Sequence, residues 1–189
     1  YFDMRQTFTA FNTVQQLAPV SKYSNGKFST SINYTSDLSA TMMPILATIN
    51  GAGILSTKQV VVEGFEPLKK LDEALKLNKF KKVTLSDIKQ LKFKIINGAV
   101  STEPFDFLVA TTKGKIGGTT GIDKSINYVL DIAILRSDFG AANSSLNGMV
   151  SAATAKGIPI TLGDVINVQA LFTGTITKPI IKTNLKEAG

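Results

Sequence analysis

Cysteine, histidine and tryptophan are missing from all 189 residues, and arginine occurs only at Arg5 and Arg136. Without cysteine or histidine there is no thiolate nucleophile, no disulfide, no Cys/His zinc site and no Ser-His-Asp triad. An enzyme built from this chain would have to work with Asp, Glu, Lys, Tyr or Ser alone. Lack of cysteine suits either redox compartment. No run approaches the roughly 20 apolar residues that a membrane-spanning helix needs. The first residue is Tyr1, and no basic segment followed by an apolar stretch can be read as a targeting signal, so the expectation is a piece of a longer protein.

What is present is a globular composition, 43% hydrophobic and 19% charged, in a length suited to one domain over 1–189. The formal charge is +7, and most of the excess falls in one segment. Between Glu66 and Lys94 nine lysines stand against Glu66, Asp72, Glu73 and Asp87, a local +5. Lys79, Lys81, Lys82, Lys92 and Lys94 are therefore candidates for an anionic lipid headgroup, although a solvated face is the favoured reading of such a segment.

The stretch from Leu91 to Leu135 organises the chain. Leu91 to Ile96 alternates apolar and polar residues, and Asn97-Gly98 is the dipeptide a two-residue hairpin turn prefers, because both positions need positive φ. Ala99 to Thr102 returns, and Pro104 is expected to break the run. A second pair follows, Phe105 to Thr112 continuing toward Gly121, then Ile126 to Leu135 after a turn at Ile122 to Ser125. Further strands are read at Phe28 to Tyr34, half-buried, at Ile54 to Glu63, at Val168 to Thr177 and at Ile180 to Leu185. Residues 1 to 4 read as the tail of a strand whose partners lie upstream.

Amphipathic helices are expected over Gln6 to Ala18, Met43 to Ile49, Phe65 to Leu77 and Asp138 to Ala155. In the last, Phe139, Ala142, Leu146, Met149, Val150 and Ala153 share one face, and Gly157 is placed to end it. The fold class is thus α+β, a curved antiparallel β-meander with three to four amphipathic helices packed on one face.

Four segments carry a family resemblance: Ser24-Asn-Gly-Lys-Phe-Ser29, Met42-Met43-Pro44 with Ile49-Asn-Gly-Ala-Gly-Ile-Leu55, Phe93-Lys-Ile-Ile-Asn-Gly-Ala-Val100, and Phe172-Thr-Gly-Thr-Ile-Thr-Lys-Pro179. In their order and spacing they resemble the C-terminal region of the AsmA family of Gram-negative envelope proteins, over nearly the whole chain. The resemblance implies a periplasmic protein tethered to the inner membrane by an N-terminal anchor that this sequence does not contain. It also implies a β-groove whose apolar interior holds or conducts lipid acyl chains or phospholipid in outer membrane biogenesis. No catalytic residue, cofactor or metal belongs to that pattern. A curved sheet with one apolar face must bury it under helices or offer it to something greasy. Phe93, Ile95, Phe105, Phe107, Val109, Tyr128, Leu130 and Ile132 are the candidates for the groove lining, and plain core under the last helix is the competing role for each.

Three other classes compete. A scaffold or assembly factor for outer-membrane proteins would use a free strand edge and carry no lipid. Nucleic-acid binding is disfavoured, because two arginines and few aromatics among the lysines offer little bidentate contact or base stacking. Catalysis by Asp106 with Asp131, or Asp123 with Lys124, is not expected, since each sits at a polar strand or turn position where a solvated group belongs. Gly114 to Gly121 lacks the Gly-Lys-Ser/Thr of a phosphate loop and lies between two β-runs, so a twisted or bulged strand is expected there.

Overall fold

In the computed structural model, which describes residues 1–109, 112–157 and 164–186, the chain is an α+β protein built on one open antiparallel sheet of ten strands. In chain order the elements are β1 (Phe2–Asp3), α1 (Met4–Ala10), α2 (Asn12–Leu17), β2 (Ser24–Thr35), β3 (Asn50–Glu63), α3 (Glu66–Leu75), β4 (Lys82–Thr84), β5 (Leu91–Ile96), β6 (Ala99–Val109), β7 (Thr112–Thr120), β8 (Ile126–Leu135), α4 (Asn143–Ala155), β9 (Val165–Gly174) and β10 (Pro179–Leu185). The strands pair in chain order from β1 to β10, except that β3 pairs β5 directly while the short β4 lies against the far end of β3. This is the expected meander.

The registers put alternate residues on two faces. The inner face carries Phe93 and Ile95 of β5, Phe105, Phe107 and Val109 of β6, Ile116 of β7, and Ile126 to Ile134 at every second position of β8. It continues through Ile166, Val168, Ala170 and Phe172 of β9 to Leu185 of β10. The main core lies where this face meets helices. Leu71 and Leu75 of α3, with Leu77, Phe80 and Val83 after it, cluster with Leu130, Ile132 and Ile134, with Phe139 and Leu146, and with the β9 residues. Met149 and Val150 pack against that cluster, while the side chain of Ala142 lies outside the described ones.

Several boundaries differ from expectation. Pro104 does not end a strand: β6 runs on to Val109 through a register shift between Thr102 and Phe105. Gly117 faces that shift, and a Cβ there would stand 2.7 Å from the Pro104 nitrogen. Glycine thus admits the proline that a regular ladder would reject. β6 and β7 are separate strands, and Ala110 and Thr111 between them lie outside the described residues. Residues Phe2–Asp3 find their partner inside the chain, in Lys27 and Phe28 of β2.

The Gln6 to Ala18 helix is two helices broken at Phe11, whose backbone is extended. The hydroxyls of Thr7 and Thr9 donate to carbonyls of the preceding turn, a local competition that weakens helix continuation. Met43 to Ile49 holds only a 3-10 turn at Leu46–Thr48. There Thr48 donates its hydroxyl to the Ile45 carbonyl and accepts the Asp37 N–H, so side chains take up bonds that a helix would make. The last helix begins later than Asp138, because Gly140 turns out of helical geometry with φ 32°. The hairpin at Asn97-Gly98 has positive φ at both residues, as its sequence requires.

Candidate functional site

All eight predicted groove residues share the inner face, but that face is covered unevenly. Leu130 and Ile132 are buried in the main core under the helices. Ile95 is also buried, away from that core, at the end where the Gly98 N–H donates to the Ile49 carbonyl. Phe107, Val109 and Tyr128 are half-buried at the margin of the core. Phe93 and Phe105 are half-buried with no helix-borne cluster above them.

Three of the four aromatics in this set share one arrangement. Each lies over a glycine that is its register partner on the next strand: Phe93 over Gly53, Phe107 over Gly114, and Tyr128 over Gly118. The ring fills the place a side chain on the partner would occupy, which covers the bare backbone and pins the register. The Tyr128 hydroxyl is 3.0 Å from that of Thr120, on the same face. Burial holds the Tyr128 phenol above its ordinary pKa, against the pull of the Thr120 hydrogen bond.

Toward β2 the inner face opens. Ile32 and Tyr34, opposite Gly53 and Gly51, are 37% and 50% exposed. They were expected to be half-buried, but α3 and α4 seat against β10, and α1 packs on β2 near its Lys27 end, so Ile32 and Tyr34 stay exposed. Ile32, Tyr34 and Leu55 therefore extend the groove candidates along a strip from β2 toward β7, where Ile116 packs at the margin of the core. The even spacing of Phe28, Ile32 and Tyr34 carried the signal that they share a face. Beyond β2 the chain forms a small hairpin, with Leu38 bridged to Pro44 and with Met42 and Met43 at its tip, 72% and 62% exposed.

The five predicted headgroup lysines do not make one patch. Lys92 and Lys94 pair with Ile54 and Ala52 of β3 on the outer face, opposite the strip. Lys82 pairs with Glu63, nine positions further along β3 and so roughly 30 Å away. Its ammonium is 3.6 Å from the Glu63 carboxylate, and that of Lys79 is 2.6 Å from Asp138. Lys81 is exposed.

The outer face is mixed: exposed Ile54, Ile96, Leu108, Val129, Leu135 and Ile180 stand there among polar residues. A single row runs Asp106, Lys115, Asp131, Gln169 and Asn184 from β6 to β10. Lys115 is 3.6 Å from Asp106, while Asp131 accepts hydrogen bonds from Gln169 at 2.9 Å and Lys186 at 2.8 Å. Burial pushes the Asp131 carboxyl up, but the bonds from Lys186 and Gln169 and the charges of Lys186 and Lys115 outweigh it and hold the group below its usual range. Asp106 and Asp131 are thus engaged with lysines in a structural row. Asp123 accepts from the backbone N–H and hydroxyl of Ser125 and closes the β7–β8 turn. Among the described residues no group of three acids is placed to hold a metal ion.

Two open depressions mark the surface, one of about 420 Å³ beside Thr35, Asp37, Thr48 and Asn97, the other of about 320 Å³ between Asp87–Lys92 and Glu103–Asp106. Both are shallow and largely polar, so neither is an apolar chamber. Among the described residues no helix is long and apolar enough to cross a membrane. Compared with protein-family models, curated proteins and solved structures, the chain matches none.

Proposed function

We propose that this domain is a non-enzymatic envelope-biogenesis module that contacts lipid acyl chains along the uncovered part of its inner sheet face. The observation that carries the reading is the uneven cover of that face. Helices and their flanking loops seal Leu130, Ile132 and the β9 residues, whereas Ile32, Tyr34, Phe93 and Phe105 remain exposed or half-buried in a strip that ends at Ile116, beside the core. A run of this kind, five strands wide at roughly 4.8 Å spacing, offers apolar surface on the scale of an extended acyl chain. The resemblance to AsmA proteins supports the same reading and adds the setting: the periplasm, a tether to the inner membrane outside this sequence, and cargo moving between inner and outer membrane.

Mass spectrometry of organic extracts from protein purified without detergent tests the proposal. Co-purifying phospholipid or free fatty acid in near-stoichiometric amount is the expected result. Clean extracts, together with no uptake of added phospholipid, would remove the basis for it.

A second reading, a scaffold for outer-membrane proteins without lipid cargo, is favoured by the edge of β2 from Ser29 to Thr35, which, apart from β3, pairs with no described residue. Cross-linking in cells that captures protein and never lipid supports this reading over the first.

A further inference from the structure

The two edges of the sheet are treated differently. β10 carries Pro179 and Lys182, residues that discourage pairing, and lies against α3 and α4. At the other edge β1 covers only Lys27 and Phe28 of β2. From Ser29 to Thr35 the backbone hydrogen-bonds β3 on one side and no described residue on the other. All seven residues are exposed, and none is charged, proline or glycine. Such an edge is a template for another strand.

We propose that this edge is a homodimer seam, at which two copies of the chain join β2 to β2 antiparallel about a two-fold axis through Ile32. The occupant is set by three features. First, the free edge is bounded by Phe28 on one side and the end of β2 at Thr35 on the other, so its centre is Ile32, and only the symmetric register uses all seven residues. Second, that register is self-complementary. It sets Ile32 against Ile32 and Tyr34 against Thr30 on the inner face, Ser31 against Asn33 on the outer, and Ser29 against Thr35 at the ends.

Third, charge agrees. The chain carries +7, which opposes self-association in general, yet the seam is neutral. The charged residues that bracket it, Lys27 and Asp37, are of opposite sign, and among the described residues neither is in an ion pair. The two-fold brings the Asp37 end of one copy to the Lys27 end of the other. The result is one sheet of twenty strands whose open strip is continuous across the seam, whether or not the strip holds lipid.

Because the chain has no cysteine, Ile32→Cys introduces a single thiol. Across an antiparallel pair the two Cα atoms stand about 4.5 to 5.5 Å apart, within disulfide range. Mild oxidation is expected to give a covalent species of twice 20.2 kDa. Thr30→Cys is expected to give almost none, because its counterpart lies four positions along the strand, roughly 13 Å away. Light scattering on the unmodified chain is expected to show a mass that doubles with concentration. Ile32→Lys, which puts like charges face to face at an exposed site, should weaken dimerisation by roughly tenfold or more with unchanged circular dichroism. A chain that stays monomeric throughout, or cysteines at 30 and 32 that cross-link equally, overturns the seam.

Discussion

Phe93 of β5 lies across Gly53 of β3, so close that a Cβ on the glycine would stand 2.5 Å from the tip of the ring. The pair explains why this strand tolerates Gly53: the ring supplies the cover that the glycine lacks, and it stays half-exposed on the strip proposed to meet lipid. Gly53→Ala must displace Phe93 or the Ser31 backbone, whose carbonyl is 2.6 Å from the same point. The expected cost is about 1–3 kcal/mol in urea unfolding. Gly64, whose Cβ position meets nothing, differs only in needing positive φ, and its replacement by Asn should cost far less.

The pH dependence at the alkaline end follows from Tyr128. Its folded pKa is raised, so the stabilisation it gives is complete below the ordinary tyrosine value of about 10 and is lost as pH rises toward the higher folded value. Ultraviolet titration should show one of the four tyrosines ionising late. Tyr128→Phe should abolish that late step and cost about 0.5–1.5 kcal/mol at neutral pH through loss of the Thr120 bond.

Asp131 gives the opposite limb. Its folded pKa is lowered, so its contribution is present above the ordinary carboxylate range and fades as pH falls through the folded value. Lys186→Met should remove part of this acid dependence. The pair is partly exposed and screened, so the loss at neutral pH stays within about 1 kcal/mol, and salt should shrink it further. Equilibrium unfolding of both proteins at low and neutral pH measures the difference.

The two halves of the inner face should respond differently to truncation. Leu71→Ala on α3 empties a fully buried site and is expected to cost about 2–5 kcal/mol. Tyr34→Ser, on the uncovered half, should change stability by less than about 1 kcal/mol while reducing any lipid recovered with the protein. Thermal melts alongside lipid extraction separate the two effects.

Much of the sheet was legible because alternation and turn chemistry are local. Asn97-Gly98, Ile126 to Leu135 and Leu91 to Ile96 each state their structure in adjacent residues. The persistence of β6 past Pro104 was not legible, since it depends on Gly117, a residue on another strand. The helices at Gln6 to Ala18 and Met43 to Ile49 have helical spacing but spend it on a break and on a 3-10 turn, where Thr and Ser side chains compete for the backbone. For the candidate site, the shared face of the eight lining residues could be read from parity. Which of them would be sealed could not, because that depends on where α3 and α4 land, at the β10 side and away from β2. The lysine segment looked continuous in sequence and is split by the long reach of β3.

The central claim is that lipid meets the inner face and not the outer one. A photo-reactive residue placed at Phe105 on the inner strip, and separately at Leu171 on the outer face of β9, tests it in one experiment with phospholipid vesicles. The account predicts lipid adducts from position 105 and essentially none from 171. Equal labelling at both positions, or labelling at 171 alone, contradicts it.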